Sequence, residues 1–242
     1  MKKIVVLLLL SLAASACSDT QPAAVEEKYD QAMLHIEKGE YSLAPPLLQA
    51  IIRESPGTRY ATFSYLKLAD SLLEEASTKE EFDTAEVNYR IFLVKSHNNH
   101  LVPYVIGRLI ELNYRRNTSR FFGDEYAFAR DPGHFNTIIR DYQRFYLLYP
   151  NSFYLDDAVV FRDKAIEALA EHELIIGDWY FKHQHYTSAI ARYSYILEQY
   201  PNSQRREQVI LNLIKAFERN QQPAKAEELR AIAGQEGINL GS

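Results

Sequence analysis

His172 and Glu173 stand side by side, as in the HExxH helices where two histidines one turn apart hold zinc and the glutamate acts as base. Here the fifth position is Ile176, so the second metal ligand is missing. His183 and His185 flank Gln184 in "FKHQHY", and His97 and His100 lie close together in "KSHNNH". Neither pair has a third ligand at a fixed spacing, and both read as turn residues. Asp156-Asp157 and Glu171/Glu173 are not spaced to set an acid against a base. The first of these pairs suits the opening turn of a helix, where negative charge favours the dipole. No GxSxG, P-loop or GxGxxG sequence occurs. The residue types therefore point away from an enzyme, and no metal or cofactor is expected.

Two other residues offer chemistry of a different kind. Cys17 is the only cysteine. It follows a basic start (Lys2, Lys3), an apolar run over residues 4–12 broken only by Ser11, and the small residues Ala13-Ala14-Ser15-Ala16. This is the pattern of a secretory signal peptide, too short for a stable membrane span. A cysteine at the cleavage point matches a bacterial lipobox. On that reading residues 1–16 are removed and Cys17 carries a diacylglycerol and a fatty acyl chain. The other reading is an ordinary signal with an incidental cysteine just inside it. Ser18 rather than Asp follows the cysteine, which favours sorting to the outer membrane, on its periplasmic face. Residues 17–24, polar and alanine-rich, read as a flexible tether. Arg192 is the second such residue. It sits among apolar neighbours in "YTSAIARYSYIL". It either snorkels and pairs with a nearby glutamate, or presents its fork to a partner's carboxylate.

The elements that would position these residues are repeated units. The tetrapeptide "YPNS" occurs at residues 149–152 and again at 200–203. In "EEKYDQAMLHIEKGEYSLAPPLLQAIIRESPGTRY", Tyr29, Ala32, Met33 and Ile36 fall on one helical face. Gly39 breaks the helix, and Leu43, Leu47, Leu48, Ile51 and Ile52 line a second one. The Pro45-Pro46 pair fits only the first turn of that second helix. Helix, turn, helix, proline is the layout of a tetratricopeptide repeat. Counting back from Pro56 puts Ala32 and Ala44 where the two helices cross. Counting back from Pro201 puts Gly177 and Ala189 there. Each YPNS then closes one repeat and opens the next: Tyr packs in the last turn, Pro stops the helix, and Asn and Ser cap the one that follows.

Five units are expected, near 25–58, 59–98, 99–152, 153–203 and 204–234. The second lacks its closing proline, and the third carries an insertion, "NTSRFFGDEYAFARDPGHF". No long period-2 alternation occurs, so no sheet is predicted. The fold expected is all-α, a right-handed superhelix of about five tetratricopeptide-like helix pairs with a concave inner face. In the first repeat that face would expose Tyr29, Met33 and Ile36 as a peptide groove, unless they serve only in packing. A net charge of −5 with no basic stripe argues against nucleic acid.

The run "FFGDEYAFARDPGHFNTIIRDYQRFYLLYPNSFYLDDAVVF" resembles the middle of the BamD/ComL family of outer-membrane lipoproteins. The similarity is carried by Phe121-Phe122-Gly123, Arg130-Asp131-Pro132, Pro150-Asn151-Ser152, Tyr154, Asp157 and Ala158. It continues through Leu169-Ala170, Glu173, Tyr180, Tyr186, Ala189, Arg192 and Tyr200-Pro201, and extends from near Val25 to near Arg230. The resemblance implies a non-catalytic subunit of the β-barrel assembly machinery, hung from the outer membrane by lipid. It implies that repeats 1–3 (residues 25–152) receive unfolded outer-membrane β-barrel proteins, and that repeats 4–5 (153–242) bind the periplasmic domains of BamA. Other Bam lipoproteins are further implied partners, and Arg192, Arg130 and Asp131 are implied partner-binding residues. The chain departs from the family at His100-Leu101, often histidine-proline there, and at Glu167-Ala168, where the family has basic residues. The alternative is another periplasmic tetratricopeptide scaffold, for pilus assembly or cell-wall synthesis.

Overall fold

A computed structural model describes residues 20–118 and 132–238. These form ten helices, and no strand occurs among the described residues. The helices pair as expected: α1 (Thr20–Glu37) with α2 (Ala44–Glu54), α3 (Arg59–Glu75) with α4 (Lys79–Lys95), α5 (Val102–Thr118) with α6 (Gly133–Leu148), α7 (Leu155–Lys182) with α8 (Tyr186–Gln199), and α9 (Arg206–Arg219) with α10 (Pro223–Gln235). The chain is thus the tetratricopeptide-like stack anticipated from its repeats. The first four cores are each built from a pair plus the first helix of the next pair. One joins α1, α2 and α3 around Ala32, Ala44, Leu48 and Leu68. Another joins α7, α8 and α9 around Leu174, Ala189, Tyr193 and Leu213. Such nearest-neighbour burial is what makes a solenoid stable only as a stack.

The crossings fall at the counted positions. Ala32, Ala44 and Ala189 are fully buried. At Gly177 a Cβ would lie 2.6 Å from the Tyr193 ring, so only glycine admits this approach of α7 and α8. Pro45 and Pro46 occupy the first turn of α2, where their missing N–H groups would have no helical partner. Leu43 departs from expectation: it precedes α2 and is half-exposed, and the buried face is Ala44, Leu48 and Ile51. The turn inside three of the pairs contains one left-handed residue. Gly39 fills it between α1 and α2, while Gln184 and Gln221 fill it in the last two pairs.

The two YPNS copies adopt one geometry. Tyr149 and Tyr200 are C-caps whose N–H groups bond to the carbonyls of Phe145 and Ile196. Ser152 and Ser203 do not cap the next helix directly, as the motif suggested. Each accepts a bond from the N–H two residues on, at 3.3 and 3.1 Å, and the cap positions fall to Tyr154 and Arg205. The second repeat, which lacks proline, uses the same turn. Ser96 caps α4 through Phe92, Asn99 N–H bonds to the Ser96 carbonyl, and Asn99 Oδ1 accepts from Leu101 N–H at 2.9 Å. Ser-His-Asn-Asn is therefore the structural equivalent of Tyr-Pro-Asn-Ser, with His97 in the place of proline.

Three expectations are corrected or narrowed. The tether was expected to run to residue 24, but α1 begins at Thr20; Ala23 and Ala24 are strong helix formers, and Pro22 falls in a first turn that tolerates it. The insertion is shorter at both ends, because Asn117 and Thr118 belong to α5 and residues 133–135 to α6. The proposed boundary at 152/153 precedes α7, a helix of 28 residues and about 42 Å. Its first half packs with α5 and α6 through Leu155, Ala158 and Ala165, and its second half with α8 and α9 through Ala170 and Leu174.

Polar nodes lock successive repeats. Asp70 of α3, nearly buried, accepts from the hydroxyls of Tyr89 (2.7 Å) and Tyr104 (2.9 Å), on α4 and α5. Asp178 of α7 accepts from Tyr193 (2.6 Å) and from Asn212 Nδ2 (2.9 Å), on α8 and α9. Each aspartate follows a small crossing residue, Ala69 or Gly177, and each tyrosine lies one turn beyond the other, Ala85 or Ala189. Burial first, and then the neighbouring aspartate, pushes the Tyr89 phenol well above its ordinary pKa.

Gly177→Ala tests the crossing. Overpacking costs about 1–3 kcal/mol, against about 1 kcal/mol gained from helix propensity. Tyr193 is fixed by Asp178 and cannot yield. Urea unfolding is expected to show a net loss of up to about 2 kcal/mol; raised stability would contradict the account.

Candidate interaction surface

Arg192 lies on α8 and donates through Nη1 to Glu173 Oε2 of α7 at 2.8 Å. The glutamate side chain is largely buried, while that of the arginine is 42% exposed. The hydrogen bond to Glu173 raises the Arg192 pKa further, so the guanidinium stays charged. One nitrogen of the fork is thus spent within the chain, and much of the group still faces solvent. The local and outward readings of this arginine are compatible. The same pair occupies one oxygen of Glu173, and His172 beside it is buried in α7. Among the described residues, no group of three or more His, Cys, Asp or Glu is arranged to hold a metal ion.

Tyr29, Met33 and Ile36 are half-buried and pack against the cluster of Ala32, Ala44, Leu48 and Leu68. Tyr29 also meets the Tyr60 ring, with centroids 5.5 Å apart. Burial, with the Asp70 carboxylate second, pushes its phenol up to about 12. These three residues hold α1 on the stack and leave only their edges to solvent. Cys17, Arg130 and Asp131 lie outside the described residues.

A second concavity lies along α7. It is an open cleft of about 1260 Å³ walled by α5 and α6 on one side and the turn between α8 and α9 on the other. Its aromatic wall carries cations: Arg162 sits 4.6 Å over the Tyr142 ring and Lys164 5.6 Å over that of Tyr114. Its far wall is held by carboxylates of α7. Glu167 accepts from Ser203 Oγ at 2.8 Å and from Gln204 N–H at 2.9 Å, and Glu171 pairs with Arg205 at 2.7 Å. The glutamate that departs from the family pattern therefore fastens the second YPNS turn to α7. Sequence reading placed the groove in the first repeat and missed this cleft. The available signal was the spacing of Lys164, Glu167 and Glu171, which sets all three on one helical face.

The Tyr29 environment has a measurable sign. A phenol near 12 in the folded chain and near 10 in the unfolded one favours the fold while neutral. That contribution is complete below about pH 10 and is lost as pH rises through the folded value. Ultraviolet titration of the native chain against Tyr29→Phe is expected to differ by one phenol ionising near pH 12; a difference centred near the ordinary tyrosine value would contradict the packing.

The sequence profile of the YfiO family, described as outer membrane lipoprotein, matches residues 21–231. The chain is 26% identical over 238 residues to the outer membrane protein assembly factor BamD of Haemophilus influenzae, covering 96% of this chain and 90% of that one. It is 25% identical over 232 residues to the BamD of Pasteurella multocida, covering 90% and 85%. It is 25% identical over 242 residues to that of Neisseria gonorrhoeae, covering 96% and 90%. The profile spans all ten helices apart from the first residue of α1 and the last turn of α10. With the repeat architecture and the match running together from end to end, the chain belongs to the YfiO family of outer membrane lipoproteins.

Proposed function

We propose that this chain is a scaffold lipoprotein of the β-barrel assembly complex, anchored to the periplasmic face of the outer membrane through acylated Cys17. In this reading it makes and breaks no bond. It binds BamA and, for a short time, unfolded outer-membrane barrel proteins, raising their local concentration beside the inserting partner. The observation that carries the reading is the likeness, over nearly the whole length of both chains, to proteins named outer membrane protein assembly factor. No helix among the described residues is long and apolar enough to cross a membrane, which is compatible with a lipid anchor.

The described architecture supports a division of labour. Repeats 4 and 5, with Arg192 on α8, form the surface proposed for BamA and neighbouring Bam lipoproteins. Repeats 1–3 are proposed to receive clients, with Tyr29, Met33 and Ile36 near one end. The α7 cleft, with Tyr114 and Tyr142 in its wall, extends that surface toward repeat 4. An aromatic-rich strand terminus suits such a wall, since ring contacts add only about 0.5–1.5 kcal/mol each and so allow release. Arg130 and Asp131 belong to the same proposed partner-binding set.

Two substitutions test this. Arg192→Glu sets a second carboxylate against Glu173 and removes the fork. Co-purification with BamA is expected to fall by about 30-fold or more, the effect of a hot-spot residue, with helix content by circular dichroism unchanged. Undiminished co-purification would end the assignment. Cys17→Ser is expected to abolish acylation by mass spectrometry and to leave the chain either as a soluble periplasmic form or as an uncleaved precursor. A native mature N-terminus that carries no acyl group would refute the anchor.

A further inference from the structure

Among the described residues, the three most exposed large apolar side chains lie near one edge of the stack, although Leu34, Leu43 and Trp179 are exposed near the other. Phe153 is 80% exposed, Val94 79% and Leu147 78%, with Tyr146 and Leu148 more than half exposed. All five lie within a few residues of the turns that join one pair to the next, at residues 96–101 and 149–154. Those two turns face each other. His100 and Pro103 on one side, and Tyr149, Pro150 and Tyr154 on the other, line a cleft of about 420 Å³. Tyr104 and Tyr154 meet edge to face across it at 5.3 Å. The exposed apolar residues thus lie beside two neighbouring turns of repeats 2 and 3.

Consecutive helices joined by short turns run antiparallel. The starts of α1, α3, α5, α7 and α9 therefore share an edge with the ends of the helices that precede them. Thr20, the first residue of α1, lies on the same edge as Val94, Leu147 and Phe153. Cys17 is three residues before it. Three residues reach at most about 10 Å. An acyl chain on Cys17 would therefore keep the start of α1, which is on this edge, within that reach of the bilayer.

From this we propose that the edge bearing Val94, Leu147 and Phe153 docks on the membrane surface, its apolar side chains entering the interface of the phospholipid leaflet. The proposal rests on acylation of Cys17. Contiguous exposed apolar surface marks a site of association, and apolar area buried in the headgroup region adds to the hold of acyl chains. The anchor and the patch together fix the orientation of the stack. The edge holding the turns within pairs, where Trp179 stacks on His183 at 4.1 Å, faces away.

The chain has one tryptophan, Trp179, which reports on the far edge. The test uses full-length acylated protein reconstituted in phosphatidylethanolamine–phosphatidylglycerol vesicles with brominated acyl chains. In the double variant Phe153→Trp, Trp179→Phe, emission is expected to shift to the blue and to be quenched by bromine. In the native protein Trp179 is expected to keep its emission. Equal emission from both proteins overturns the proposal. So does a photoreactive side chain at position 153 that labels a protein instead of phospholipid in cells. Mass spectrometry of the same samples separates the two possible failures. Acylated protein without quenching overturns only the docking edge, whereas unacylated mature protein overturns the anchor and the edge together.

Discussion

The approach of two helices at a point where neither has a bulky side chain underlies the whole structure. At Ala32 and Ala44, and at Gly177 and Ala189, the backbones come close enough that a single added carbon meets a ring at Gly177. Close approach sets the angle within a pair, and the angle within a pair sets the seat offered to the next helix. Everything downstream follows: the cores shared by a pair and its successor, the edges on which turns collect, and the position of Arg192 over Glu173. A larger residue at one crossing would alter the seat for every repeat beyond it.

Packing alone would leave each repeat free to slide along its neighbour, and the aspartate–tyrosine nodes oppose this. Asp70 and Asp178 occupy corresponding places, each one residue past a crossing. Each gathers hydroxyl or amide donors from the two helices that follow. Asp70 is buried, and a buried carboxylate that loses such donors is costly, so the register that satisfies it is favoured over its neighbours; Asp178 is exposed and adds only the hydrogen bonds themselves. This accounts for part of the chain's 17 tyrosines: a ring fills the seam while its hydroxyl reaches a carboxylate of its own pair, as at Tyr89 and Tyr193, or of the preceding one, as at Tyr104. In repeat 1 the corresponding positions are Met33 and Leu48, and the seam there is apolar.

The fold was legible because its punctuation is chemical. Pro45, Pro56, Pro150 and Pro201 mark places where a helix can only begin or end, Gly39 supplies a left-handed turn, and small residues return at fixed distances from the prolines. The turn at Ser96-His97-Asn98-Asn99 was not legible, because the same backbone path is held by hydrogen bonds that serine and asparagine make as well as tyrosine and serine do. Gln184 and Gln221 hid their turns for a similar reason: the geometry of the helix end imposes a positive φ on residues that do not advertise it. The site was harder to see than the fold. Arg192 could be singled out, yet its partner Glu173 depends on how α7 and α8 cross. The α7 cleft is assembled from three separate pairs of helices, and nothing in the local pattern of Lys164 and Glu167 says what stands opposite. Tyr29, Met33 and Ile36 were placed correctly on one helical face, but periodicity does not distinguish a face turned to a ligand from one turned to the next repeat.

Helix α7 gives the stack an unusual mechanical character. Most solenoids are articulated, since every layer ends before the next begins and bending is distributed over many soft joints. The first helix of every later pair belongs to two cores, but α7, at 28 residues the longest of the described helices, gives half its length to each and acts as a splint across the middle of the protein. Torque applied to α8 and α9 is carried directly to α5 and α6 rather than dissipated at a hinge.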